Sequence, residues 1–281
     1  MSESVLTRAA PPADHRLPYG TDPSQFGDLR LPAGAGPHPC VVAIHGGFWR
    51  ARYDLAHLGH FCRALTERGV ATWSLEYRRV GDPGGGWPGT FHDVAAGAAH
   101  LFAIAREYGI DPGAVTVVGH SAGGHLALWL ASLAAVPATS PIRAAPLPCR
   151  AAVALAGVLD LHRAWELGLS EQAVGGLLGG SPRQHPDRYA ATSPAALLPL
   201  PAGCSHLLVH GADDDTVPPM ISRDFYDKSI RLGGTASLLA LTGVGHFDLI
   251  DPDSTAGAQV VAAILALAGG HRDRHALAAR G

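Results

Sequence analysis

Ser121 lies in Gly119-His120-Ser121-Ala122-Gly123, a G-x-S-x-G pentapeptide between two segments of opposite structural preference. The apolar β-type run Ala114-Val115-Thr116-Val117-Val118 precedes it, and the helix-forming run Gly124-His125-Leu126-Ala127-Leu128-Trp129-Leu130 follows. A strand that passes into a helix through small residues turns sharply and lifts the serine hydroxyl above the sheet. The amide of Ala122 then faces the point where a substrate oxyanion would form. Ser121 is therefore a candidate nucleophile. A bare G-x-S-x-G arises by chance in a chain with 35 glycines, so the flanking strand and helix carry the assignment.

A serine hydroxyl needs a base, and the base needs an acid to orient it. Downstream, the strand-like Ser205-His206-Leu207-Leu208-Val209 runs into His210-Gly211-Ala212-Asp213-Asp214-Asp215-Thr216-Val217-Pro218. A later strand, Ala236-Ser237-Leu238-Leu239-Ala240, leads to Gly243-Val244-Gly245-His246-Phe247. His246 can take the serine proton and return it to the leaving group, while a carboxylate fixes the ring tautomer. Three successive aspartates also read as a solvated loop, which suits Asp213 and Asp215 better than Asp214. Asp248 is a weaker rival, because a two-residue separation rarely lets a carboxylate reach back to the same ring.

A second motif follows the buried-strand pattern Pro39-Cys40-Val41-Val42-Ala43-Ile44 and reads His45-Gly46-Gly47-Phe48-Trp49. Glycines there let the backbone turn with its N–H groups toward a reaction centre. The plain alternative is a glycine turn after a core strand.

Taken together, these stretches resemble the α/β-hydrolase superfamily over nearly the whole chain. Its acid loop reads H-G-x-x-D-x-x-V-P, which matches His210, Gly211, Val217 and Pro218 and places the acid on Asp214. The order nucleophile, acid, histidine is also the one this fold uses. H-G-G-F-W departs from the H-G-G-G of lipases and esterases. It is similar to the H-G-G-x-W signature of the kynurenine formamidase branch and related bacterial esterases. The resemblance implies that the amides of Gly47 and Phe48 join Ala122 in the oxyanion hole, with Gly46 allowing the turn. It further implies a serine hydrolase working through an acyl-enzyme without a cofactor, on an aryl formamide such as N-formylkynurenine or on a small carboxylic ester. Phe48, Trp49 and Trp87 are expected to line an aromatic substrate pocket, with packing as their plain alternative.

The elements that must position these groups alternate between strand and helix. Gln25 to Leu31 reads as an early antiparallel strand, Asp54 to Arg68 as a helix, and Val70 to Leu75 as the next strand. A long helix begins at Pro88, Arg150 to Leu155 is another core strand, and Ser254 to Ala268 reads as a helix on the sheet. The alternation predicts an α/β-hydrolase fold, a mostly parallel sheet with helices on both faces. Between Gly157 and Ala202 the pattern breaks into short helical pieces separated by glycine and proline. That stretch, about 158–202, is expected to be a small cap insertion that covers the site. Residues 1–18 read as a loosely ordered arm, 19–270 as the hydrolase domain, and 271–281 as a polar tail.

Composition narrows the alternatives. Charged residues make up 16% and apolar residues 47% of 281, yet no apolar run approaches the roughly 18 to 20 residues of a membrane span. The formal charge of −3, with both signs interspersed, offers no footprint for nucleic acid. The first residues lack the basic and then apolar segments of a signal peptide, which predicts a cytoplasmic location. Cys40, Cys62, Cys149 and Cys204 are too widely spaced for a metal cluster and read as packed or free thiols. His57 and His60 share a helix without an acidic third ligand, so no metal site is expected. The expected partner is thus a small-molecule ester or amide, and oligomeric state leaves no signature. A small-amide peptidase would use the same triad. A non-catalytic binding protein on this fold would usually have lost one of its members.

Overall fold

A computed structural model describes residues 4–269. Its strands are β1 (His15–Pro18), β2 (Phe26–Arg30), β3 (His38–Ile44), β4 (Ala71–Leu75), β5 (Ile110–His120), β6 (Ala151–Leu155), β7 (Ser205–Gly211) and β8 (Ser237–Leu241). They form one sheet in the order β1-β2-β4-β3-β5-β6-β7-β8. β1 and β2 run antiparallel to their neighbours, and the remaining pairs are parallel.

Every residue of β3 is buried, because a strand between two helical layers needs apolar side chains on both faces. Cys40, Val42 and Ile44 join the layer of Phe91 and Val94 from the helix Gly89–Ile104 and Leu126 and Trp129 from the helix Ala122–Ala131. Val41 and Ala43 join the opposite layer, with Phe61 and Leu65 from the helix Gly59–Thr66 and Val260 and Ile264 from the helix Thr255–Gly269. The period-2 alternation of one strand thus builds two cores.

After β3 the chain adds β4 on one side, then returns past β3 to lay β5 on the other. Loops leaving the C-terminal ends of β3 and β5 consequently diverge and open a crevice between them, where ligands bind in open parallel sheets. H-G-G-F-W follows β3 and Ser121 follows β5, so both motifs sit on that crevice.

One expectation meets a different structure. Residues 4–18, read as a loosely ordered arm, carry a short helix (Ser4–Thr7) and β1, which pairs with β2 from His15 to Pro18. Val5 is fully buried, which is what holds the first of these in place. The cap stretch forms the helices Leu161–Glu166, Leu169–Leu178 and Pro186–Thr192. It packs beside the site, with His125 Nε2 donating to Thr192 O at 2.9 Å and Trp129 Nε1 to Ala191 O at 3.1 Å. The residues expected at 271–281 lie outside the described residues. All four cysteines are free thiols, with the Sγ atoms of Cys149 and Cys204 3.4 Å apart.

Candidate active site

Ser121 adopts φ 58° and ψ −120°, a strained conformation between β5 and the helix Ala122–Ala131. The turn is possible because its flanks are glycine: a Cβ on Gly119 would lie 2.0 Å from Gly123 O, and one on Gly123 would lie 2.0 Å from Ile44 O. No side chain fits there. Ser121 is 2% exposed and opens onto a small cleft of about 70 Å³ that it shares with His246.

Of the three aspartates, Asp213 and Asp215 are exposed and Asp214 is buried. Asp214 Oδ2 accepts from His246 Nδ1 at 2.6 Å and lies 3.2 Å from His210 Nε2, while its Oδ1 accepts the amides of Thr216 at 2.9 Å and Val217 at 2.8 Å. Burial pushes this carboxyl upward, but hydrogen bonds from His210, His246 and Val217 outweigh it and hold Asp214 well below the usual carboxylate range. An ionised Asp214 fixes the proton of His246 on Nδ1 and leaves the Nε2 lone pair free to act as a base. Asp248 caps the same loop, accepting the Gly245 amide at 2.8 Å. It is a backbone ligand.

His120 and His210 support this pair. His120 Nε2 bonds the carbonyl of His246 at 3.0 Å, and the two rings lie 4.5 Å apart. Burial, aided by the neighbouring His246, lowers His120 well below the ordinary imidazole value, so it donates as a neutral ring. His210 in turn accepts from Ser222 Oγ through Nδ1 at 2.7 Å.

The loop of Gly47, Phe48 and Trp49 is held differently. Gly47, Phe48 and Trp49 all have positive φ, at 104°, 49° and 56°. Two of them are not glycine, so the surroundings must impose the conformation. Glu76, just past β4, supplies the anchor. Its Oε1 meets His45 Nε2 at 3.0 Å and Arg79 Nη1 at 3.0 Å, and its Oε2 accepts the Leu55 amide at 3.1 Å. Burial raises the Glu76 carboxyl, and the charges and hydrogen bonds of His45 and Arg79 bring it below its ordinary value. Tyr77 Oη donates to the carbonyl of His45 at 2.9 Å and stacks on its ring. The loop therefore enters the crevice from a fixed stem, bringing Gly47 and Phe48 to the wall of the cleft that His246 also lines.

Residues 28–229 match the BD-FAE family. The chain belongs to that family. This BD-FAE chain shares 29% identity over 279 residues with esterase LipC of Mycobacterium tuberculosis, covering 92% of this chain and 66% of LipC. It is 27% identical over 258 residues to the isoprenylcysteine alpha-carbonyl methylesterase ICME of Arabidopsis thaliana, covering 85% of this chain and 57% of ICME. The chain thus spans between about half and two thirds of the length of these relatives. Esterase B from Lactobacillus rhamnosis superimposes with a TM-score of 0.81 at 20% identity, over 99% of this chain and 94% of that one. A carbohydrate esterase from gut microbiota gives 0.77 at 21%, over 93% and 98%. At such identities the structural likeness establishes the fold, an α/β-hydrolase.

The BD-FAE site brings together Ser121, Asp214 and His246 with the loop of Gly47 and Phe48, and the helix that follows Ser121 begins at Ala122. It does not bring the two tryptophans expected as substrate contacts. Trp49 is 0% exposed and sits edge-on to His125 at 5.3 Å, packed in the core. Trp87 lines a separate hollow with Pro137 and Pro141, beneath Arg188 at 5.5 Å. Tyr53, His57, Thr216 and Phe247 line the cleft instead, and no residue of 158–202 does. In the sequence His57 carries only the pairing with His60 on one helix, which gives no sign of the cleft. Among the described residues no group of metal-ligating side chains is assembled. Burial, with His45 beside it, pulls the His57 imidazole down to about 3, so it faces the cleft as a neutral polar group.

Proposed function

We propose that this protein is a serine hydrolase that cleaves a small carboxylic ester through an acyl-enzyme. The observation that carries the reading is the buried Asp214–His246 contact of 2.6 Å, opening onto the same cleft as a strained Ser121. His246 Nε2 takes the hydroxyl proton as Ser121 Oγ attacks the carbonyl carbon. The amides of Gly47, Phe48 and Ala122 receive the developing oxyanion. His246 then protonates the leaving alcohol, and water repeats the sequence to release the acid. The esterase names of LipC, ICME and Esterase B support this class.

A second reading, an aryl formamide substrate, draws on the H-G-G-F-W loop and on the rings of Phe48, Tyr53, His57 and Phe247 around the cleft. Flat aryl groups pack well against such walls. A non-catalytic binding role is disfavoured by a complete triad. The test is covalent labelling by a fluorophosphonate probe in wild type and Ser121→Ala, followed by kcat/KM for p-nitrophenyl acetate and N-formylkynurenine. Labelling confined to wild type supports the nucleophile. Equal labelling of the two proteins removes Ser121 from the mechanism, and turnover only of the formamide selects the second reading.

A further inference from the structure

Leu6 belongs to the cleft of Ser121 although more than a hundred residues separate them. The segment 5–11 reaches the site because it is fastened at four points. Val5 is 0% exposed and joins the core cluster of Leu58, Phe61, Leu249 and Ile250. Arg8 pairs with Asp251 at 2.6 Å and with Asp253. His60 Nε2 donates to Ala9 O at 3.0 Å, and Arg30 Nη2 donates to Pro11 O at 2.8 Å. Leu55–Leu58 follows the oxyanion loop, and Asp248–Ile250 follows His246. The segment therefore straps the two sides of the site together, with Leu6 between its buried and its ion-paired anchors.

We propose that Leu6 is a specificity-determining residue, the wall that limits the length of the substrate arm lying in the cleft. Its place in the wall and its 37% exposure are what this role requires: the side chain meets the cleft without being part of the core. The cap helices contribute no lining residue, so this strap does the work expected of the cap. Arg8 acts through Leu6 as a positioning residue, because its contacts with Asp251 and Asp253 hold the strap against the loop of His246.

This inference rests on the ester reading, and the experiment separates the two. The full chain and its Leu6→Ala, Leu6→Trp and Arg8→Ala variants are assayed on p-nitrophenyl esters from acetate to dodecanoate and on acetates of alcohols from methyl to decyl. In one of the two series, Leu6→Ala should raise the ratio of long-chain to short-chain kcat/KM by about tenfold, and Leu6→Trp should lower it by about as much. Arg8→Ala should shift the ratio in the direction of Leu6→Ala by a smaller factor. Thermal melts check folding, and Leu6→Trp tests the wall independently of any loosening caused by Leu6→Ala. Ratios within twofold of wild type in both series, with ester turnover intact, overturn the role of Leu6. Absence of ester turnover and of fluorophosphonate labelling in wild type overturns the ester reading itself.

Discussion

The loops after β7 and β8 and the loop after β3 face each other across one cleft, yet they are fixed by opposite means. On the Asp214–His246 side, hydrogen bonds to the two residues themselves define position: Asp214 accepts from His246 and from the Thr216 and Val217 amides, with His210 beside it, and His120 holds the carbonyl of His246. On the side of the loop after β3, Gly47, Phe48 and Trp49 are held in strained backbone conformations. Their position comes from elsewhere, from Glu76 gripping the stem and from Trp49 buried behind them. Proton-transfer groups need protonation states set locally, whereas amide donors need only a rigid path for the chain.

That contrast can be broken at its strongest point first. Asp214→Asn should lower kcat by about 10⁴-fold by leaving His246 in the wrong tautomer, while Asp213→Asn and Asp215→Asn should cost little. Steady-state kinetics on one ester reads all three. Equal losses at the three positions would mean that the buried contact is not the functional one.

Next in size is Trp49→Ala. Removal of a fully buried indole should cost about 3–5 kcal/mol in a urea titration, whereas Phe48→Ala, at the cleft wall, should chiefly change KM. A destabilisation centred on Phe48 would reverse the assignment of the two neighbours.

Glu76→Gln sharpens the comparison, since it loosens only the oxyanion side. Loss of well-placed amide donors should lower kcat by about 10²-fold while His246 keeps its pairing with Asp214. Nuclear magnetic resonance can follow the Nδ1 proton shared by His246 and Asp214, which should remain. Its disappearance in Glu76→Gln would show that the two sides are not independently held.

The smallest effect concerns acid stability. Burial depresses His125 and His206 to about 4 and His57 to about 3, and places His120 well below its ordinary value. Unfolded imidazoles titrate near 6.5, so below that pH the unfolded chain binds protons that the native chain excludes. Stability is therefore present in full above about pH 6.5 and falls as pH drops toward 4. The depressed Asp214 acts in the same direction, but only below the ordinary carboxylate range. Urea midpoints measured from pH 7.5 to 4.5 should decline, and His125→Gln should flatten part of the slope. A level profile would mean that these rings are hydrated in the native state.

The sequence by itself determined the strand-to-helix elbow of Ser121, the loops of Asp214 and His246, and the alternation of β3 that implied two helical layers. Each of these is local: residue type and a spacing of two or three to four decide it. Tertiary structure decided the rest. Phe48 and Trp49 are adjacent aromatics on one glycine-rich loop, and only the packing around that loop decides that one lines the cleft and the other enters the core. Glu76 carries no motif and only follows the strand Val70 to Leu75, and it anchors the loop after β3 because β4 lies beside β3. Leu6 carried no motif at all. It reaches the cleft because Val5, Arg8, Ala9 and Pro11 are each held by residues distant in the chain, and no local periodicity encodes that convergence.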